Sequence, residues 1–142
     1  MLRLVLDTQI WLDWLVFDDP EVRPLRAAVE EGRAEIWMDA ACDGELQRVL
    51  AYDLGRRSLV PDAQVAALAK ARGIARRIET SLTEAQKKSL PRCRDADDQI
   101  FLEAALAARA DILVTKDREL LKLARRLPFK VAKPDSVLST GL

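Results

Sequence analysis

A chain of 142 residues with 49% hydrophobic content is the size of one domain and can bury a single core without disulfide or metal staples. Histidine is absent, which excludes a Ser-His-Asp triad, histidine-based nuclease chemistry and HExxH zinc sites. The formal net charge is zero, but residues 1 to 53 hold twelve Asp/Glu against five Lys/Arg and the remainder eleven against eighteen, so a neutral protein can still present a basic surface.

Other absences narrow the field further. The five glycines match neither GxGxxG nor the Walker A spacing, which argues against dinucleotide and P-loop sites. Cys42 and Cys93 lack a CxxC partner or zinc-ligand spacing and read as reduced thiols. No stretch approaches the roughly 18 uninterrupted apolar residues of a membrane span, and Asp7 and Asp13 interrupt the N-terminal run where a signal peptide would stay apolar. A cytoplasmic protein without membrane contact is expected, as one domain over residues 1–142.

In chain order, "LRLVLDT" predicts a buried strand ending in an aspartate. A helix follows, with Ile10, Trp11, Trp14 and Leu15 on one face and the tryptophans as core or dimer contacts. A second helix spans about Glu21 to Glu31 and stops at Gly32, and "AEIWM" is the next strand. From about Ala40 to Leu50 a helix carries Leu46, Val49 and Leu50 on its apolar face, leaving Glu45 beside that stripe. Pro61 and Asp62 open a long helix whose apolar side takes Val65, Leu68, Ala69, Ala75 and Ile78, with a bend near Gly73. "TSLTEAQKKSLP" reads as a polar surface excursion. Acids at "DADDQ" start another helix, which buries Ile100, Phe101, Ala104, Ala105 and Ala108. "DILVT" is a strand, "DRELLKLARRL" a helix and "FKVAK" a closing strand.

Such alternation predicts an α/β fold with a parallel sheet covered on both faces, whose active site lies outside the carboxyl ends of the strands. Asp7 and Asp117 fall at two of those ends. Each acid has an ordinary explanation: Asp7 as a turn residue, Glu45 as a helix-surface charge, Asp95 as an N-cap with Asp98 as its partner, Asp117 as the N-cap of the next helix. In this fold, however, Asp7, Asp98 and Asp117 converge at one sheet edge, with Glu45 within reach from a neighbouring helix. Carboxylates within about 4 to 6 Å of one another repel unless a cation compensates. Oxygen-only ligands select Mg²⁺ or Mn²⁺ over zinc, and the matching reaction is phosphodiester hydrolysis.

The motifs "LDT", "GELQRVL", "PRCRDADDQIFLEAAL" and "ADILVTKDRELL" together resemble those of the PIN-domain family, particularly its toxin branch in toxin-antitoxin modules, over nearly the whole chain. The resemblance implies a three-layer α/β/α Rossmann-like sandwich with a central parallel sheet of four to five strands, and an Mg²⁺- or Mn²⁺-dependent endoribonuclease. Asp7, Glu45, Asp98 and Asp117 match the family's four acids, which serve as metal ligands and catalytic groups. Thr8 and Thr115 match the small hydroxyl residues lining the pocket. Gln9 departs from the Asn or Ser common after the first motif. Among Asp95, Asp97 and Asp98 the third acid is ambiguous; Asp98 aligns best with the family's helix start, and Asp95 is second, as a helix cap or a support to the ion site. Asp39 reads as an N-cap near the pocket.

The resemblance further implies an RNA substrate, a cognate antitoxin and a homodimer. Arg92, Arg94 and Lys116, adjacent in sequence to the acids, are candidates for RNA contact. Receiver domains would need paired acids after the first strand, and haloacid-dehalogenase-like phosphatases a DxDxT that "DTQIW" does not supply. The competing expectation is a PIN fold kept as a catalytically inactive RNA- or protein-binding module.

Overall fold

A computed structural model describes residues 1–137, so the last five positions of the expected domain lie outside the described residues. Five strands, β1 (Leu2–Leu6), β2 (Ala34–Met38), β3 (Ala75–Arg77), β4 (Ile112–Val114) and β5 (Lys130–Ala132), form one sheet in the order β3-β2-β1-β4-β5. All four pairings are parallel. Helices α1 (Thr8–Leu12), α2 (Arg23–Glu30), α3 (Ala40–Leu50), α4 (Pro61–Ile74), α5 (Glu84–Ser89), α6 (Gln99–Ala107) and α7 (Arg118–Lys122) provide the crossovers that a parallel sheet requires. The architecture is the expected α/β/α sandwich.

The central strands are apolar because both faces of the sheet are covered. Leu4, Val5 and Leu6 of β1 and all three residues of β4 are buried, and they pack against Leu46, Phe101, Leu102, Ala104 and Ala105 from the helices in a single core. Trp11 and Trp14 belong to that core, stacked with ring centroids 5.8 Å apart. No helix among the described residues is long and apolar enough to cross a membrane. Both cysteines are free thiols.

Three elements differ from the sequence expectation. The long helix ends at Ile74, and Ala75–Arg77 pair with Ile36–Met38 as a fifth strand. This edge strand has no apolar run to announce it. Ionic contacts hold it instead: Arg76 to Glu35 at 3.0 Å and Arg77 to the buried Asp43 at 3.4 Å, while Arg72 forks onto the same Asp43 with two contacts of 2.8 Å. Of the helix face expected to be apolar, Leu68 is buried, whereas Val65 is 69% exposed. The excursion at residues 80–91 contains α5, nucleated by a reciprocal capping box between Thr83 and Gln86. Finally, α1 is only five residues long and runs into a π-helical turn over Asp13–Phe17.

From β1 the chain winds outward through β2 to β3, then returns to lay β4 on the other side of β1. That reversal makes the β1–β4 junction the topological switch point of the sheet, where diverging connections leave a crevice at the strands' carboxyl ends.

Candidate active site

The crevice is a cleft of about 320 Å³ lined by Asp7, Thr8, Gln9, Glu45, Asp97, Asp98, Phe101, Lys116 and Asp117. The four sequence-selected acids therefore share one cavity. Each arrives from a different element: Asp7 just after β1, Glu45 from α3, Asp98 at the start of α6 and Asp117 just before α7.

Local structure fixes the two acids at the switch point. Asp7 donates its backbone N–H to Val114 O (3.1 Å), and its carboxylate accepts the Ile10 amide (3.0 Å), capping α1. Thr115, fully buried, donates its hydroxyl to the other Asp7 oxygen. The same hydroxyl oxygen accepts the Asp117 amide at 3.0 Å, and the Asp117 carboxylate caps α7 by accepting from Glu119 N at 2.8 Å. Thr115 thus ties the carboxyl end of β4 to Asp7 and Asp117 at once. The N-cap role read from sequence for Asp117 is real, and Asp7, expected as a turn residue, caps α1 as well.

Burial is the main reason the Asp7 carboxyl is pushed up to about 6; the Thr115 and Ile10 hydrogen bonds oppose that shift, and the Asp117 and Asp13 charges add to it. Asp98 also reaches about 6, through burial first and then through Asp117, Asp95 and Asp7. Two carboxyls raised to about 6, mainly by burial and further by acidic neighbours, mark a candidate functional site.

Asp95 takes its place outside the cleft wall, where its carboxylate caps the short turn Ala96–Asp98 by accepting from Asp97 N (2.9 Å). Asp97, exposed, lines the cleft. Asp39 is the N-cap of α3, accepting from Cys42 N at 2.9 Å. Glu45 is ion-paired to Arg48 one helical turn on. The Thr8 hydroxyl is buried without a hydrogen-bond partner among the described residues.

A buried acid that sequence reasoning passed over supports the wall from behind, through Lys116 and Gln9. Asp13, 3% exposed, lies 2.6 Å from Lys116 Nζ and accepts from Gln9 Nε2 at 3.0 Å. Asp19 approaches the same ammonium at 3.3 Å, brought back by the π-turn and by a left-handed Asp18 (φ 49°). Burial works against the Lys116 charge, but the two acids outweigh it and raise its pKa. Lys116 is therefore held at the cleft wall as a cation. The sequence signal for Asp13 was an acid on the buried face of an apolar helix.

Arg92 and Arg94 line an adjoining cleft of about 240 Å³ with Cys93, Glu119, Leu120 and Leu123, and Asp98 belongs to both cavities. Burial and the neighbouring carboxylates push the Cys93 thiol up to about 11, so it is a neutral surface rather than a nucleophile.

Among the described residues, no three acidic or cysteine side chains are set closely enough to hold a metal ion by themselves. The chemistry of the donor set nevertheless suits a hard cation: oxygen donors alone, two carboxyls raised by burial and by acidic neighbours, and the unpartnered Thr8 hydroxyl. An ion bound through few carboxylates keeps several waters, as Mg²⁺ does.

Fold and site together define an α/β/α domain with an acidic cleft at its switch point. The PIN-domain model matches residues 3–119, and the chain belongs to the PIN-domain family, whose members are generally nucleases. Among solved structures, the fold is similar to the crystal structure of VapBC2 from Rickettsia felis bound to a DNA fragment from their promoter, with a TM-score of 0.60 and 18% identity over 92% of this chain and 97% of that one. No curated protein matches the sequence.

Proposed function

We propose that the protein is a metal-dependent endoribonuclease, acting as one nuclease domain over residues 1–142 and serving as the toxin of a toxin-antitoxin pair. The observation that carries the reading is the meeting of Asp7, Glu45, Asp98 and Asp117 in one cleft at the switch point of a PIN-family domain. In this reading those four acids hold Mg²⁺ or Mn²⁺, which when bound supplies the positive charge that activates water and neutralises the phosphate.

The chain's own residues do the rest. Thr115 donates to the Asp7 carboxylate and accepts the Asp117 backbone amide; the Ile10 amide holds the second Asp7 oxygen and the Glu119 amide one oxygen of Asp117, so the carboxylates need little reorganisation. Lys116, fixed by Asp13 and Asp19, faces a phosphate entering the cleft. To hold an ion, Glu45 would exchange Arg48 for it, leaving Arg48 available to the RNA backbone. Lack of histidine leaves proton transfer to water.

The toxin assignment draws on the similarity in fold to a VapBC2 structure, which supports a DNA-binding antitoxin as partner; a homodimer is the assembly we propose, symmetric dimers being the commonest. Purified protein incubated with single-stranded RNAs should cut them with Mg²⁺ or Mn²⁺, stop with EDTA, and lose turnover in Asp7→Asn. A protein that binds RNA but cuts none with either metal would instead be a binding module.

A further inference from the structure

The acidic cleft explains where a phosphodiester would be cut but leaves the cavity beside it without a task. That second cleft shares Asp98 as a common wall, so whatever fills it lies next to the reacting phosphate. Arg92 and Arg94 stand exposed at its edge, alongside the acids Glu119 and Asp98, and its floor is apolar, with Leu120 buried and Cys93 and Leu123 half-buried.

The loop that carries the arginines is clamped from inside. Gln99 is 7% exposed, and its side-chain amide accepts from Cys93 N at 2.8 Å and donates to Pro91 O at 3.1 Å. A buried amide bonded to the backbone on both sides of Arg92 fixes the loop's path before any ligand arrives. Preorganisation of this kind reduces the ordering cost of binding.

Resting on the nuclease reading above, we propose that this second cleft is the subsite for the unpaired nucleotide adjacent to the scissile phosphate, its base on the Cys93–Leu120–Leu123 floor and its phosphate on Arg92 and Arg94. The cavity, about 240 Å³, is smaller than the roughly 300 Å³ at which pockets for drug-sized ligands begin and admits one base, not a base pair. Single-stranded RNA is read by splaying bases onto apolar, aromatic or guanidinium surfaces, and this cleft offers two of the three. An arginine pair supplies phosphate contacts, and the shared Asp98 wall places them beside the acidic cleft.

The test uses anisotropy of a fluorescein-labelled single-stranded RNA octamer, in EDTA to prevent cutting, with wild type, Arg94→Ala and Leu123→Trp. Leu123→Trp fills the cleft without changing charge, and Arg94→Ala removes charge without filling it. Both should weaken binding about tenfold, with melting temperatures near wild type, and a blunt duplex of the same sequence should bind no tighter to wild type than to either variant. With Mg²⁺ or Mn²⁺ the same variants should raise KM more than they lower kcat. Folded variants that bind the octamer as wild type does would overturn the subsite alone and leave the nuclease reading intact. Wild type that binds and cuts no RNA would remove both. Intact RNA binding with lost capture of a protein partner in Leu123→Trp would reassign the cleft to protein recognition.

Discussion

Lys116 Nζ lies 2.6 Å from Asp13 Oδ2, and the two ends of this pair differ sharply in exposure: 30% for the lysine side chain and 4% for the aspartate. Removing one partner of a buried pair costs most when the charge left behind cannot reach water. Lys116→Met should therefore cost about 3 kcal/mol, because Asp13 would remain charged beneath the surface. Asp13→Asn should cost about 1 kcal/mol, because Lys116 keeps Asp19 and the amide still accepts from Gln9. Thermal melts at pH 7.5 that ranked the two variants equally would show that Asp13 is solvated in solution.

Geometry favours Asp98 as the third acid of the proposed site. It lines the cleft and is pushed up to about 6, whereas Asp95 faces away to cap the Ala96–Asp98 turn. Asp95→Asn should lower turnover within the roughly 10- to 100-fold range of groups that support a site from outside, and Asp98→Asn should exceed it. Initial rates on one RNA at saturating metal give the comparison, and the reverse order would exchange the two roles.

How far the sequence reached is visible in these same residues. The central strands, Asp7 and Asp117 were legible because an apolar run ending in an acid is a local signal that also dictates topology, and Asp98 because acids open a helix there in a motif resembling the family's. By position Glu45 was legible as a residue beside an apolar stripe and by resemblance as the second acid, and the structure places it in the cleft but paired with Arg48. β3 was not legible, because Ala75–Arg77 is held by Asp43 and Glu35, which are distant in sequence, and not by any periodicity of its own. Asp13 and Gln99 were missed for a related reason. A buried polar residue is explained by its partner, and Lys116 and the Pro91–Cys93 backbone come from elsewhere in the chain.

Thr115 donates to Asp7 from a fully buried position, so Thr115→Val should leave one Asp7 oxygen without its donor while preserving shape. The expected loss is roughly 1–3 kcal/mol at pH 7.5. Because a protonated carboxyl needs that donor less, the deficit should shrink at pH 5. Urea unfolding at the two pH values measures it, and a deficit independent of pH would mean that the hydroxyl serves packing or Asp117 rather than the Asp7 charge.

Metal-free and metal-bound protein should respond to pH in opposite directions. Asp7, raised from 3.8 to about 6, favours its protonated form in the fold, so its contribution to stability is fully present below 3.8 and is lost as pH rises through 6. For this buried group the gap corresponds to roughly 3 kcal/mol at most, and Asp98 acts in the same direction. Asp19, Asp43 and Asp53 are lowered, so they lose stability only as pH falls below 3.8 and leave the window between 4 and 6.5 to the cleft. In EDTA the melting temperature should therefore rise by several degrees from pH 7.5 to pH 5, and Asp7→Asn should flatten that slope while raising the value at pH 7.5. Excess Mg²⁺ or Mn²⁺ should stabilise the wild type at pH 7.5 by binding the ionised acids and lose that effect towards pH 5, where protons compete for the same oxygens. Parallel melting curves with and without metal across this range would show that the carboxylates do not share a cation.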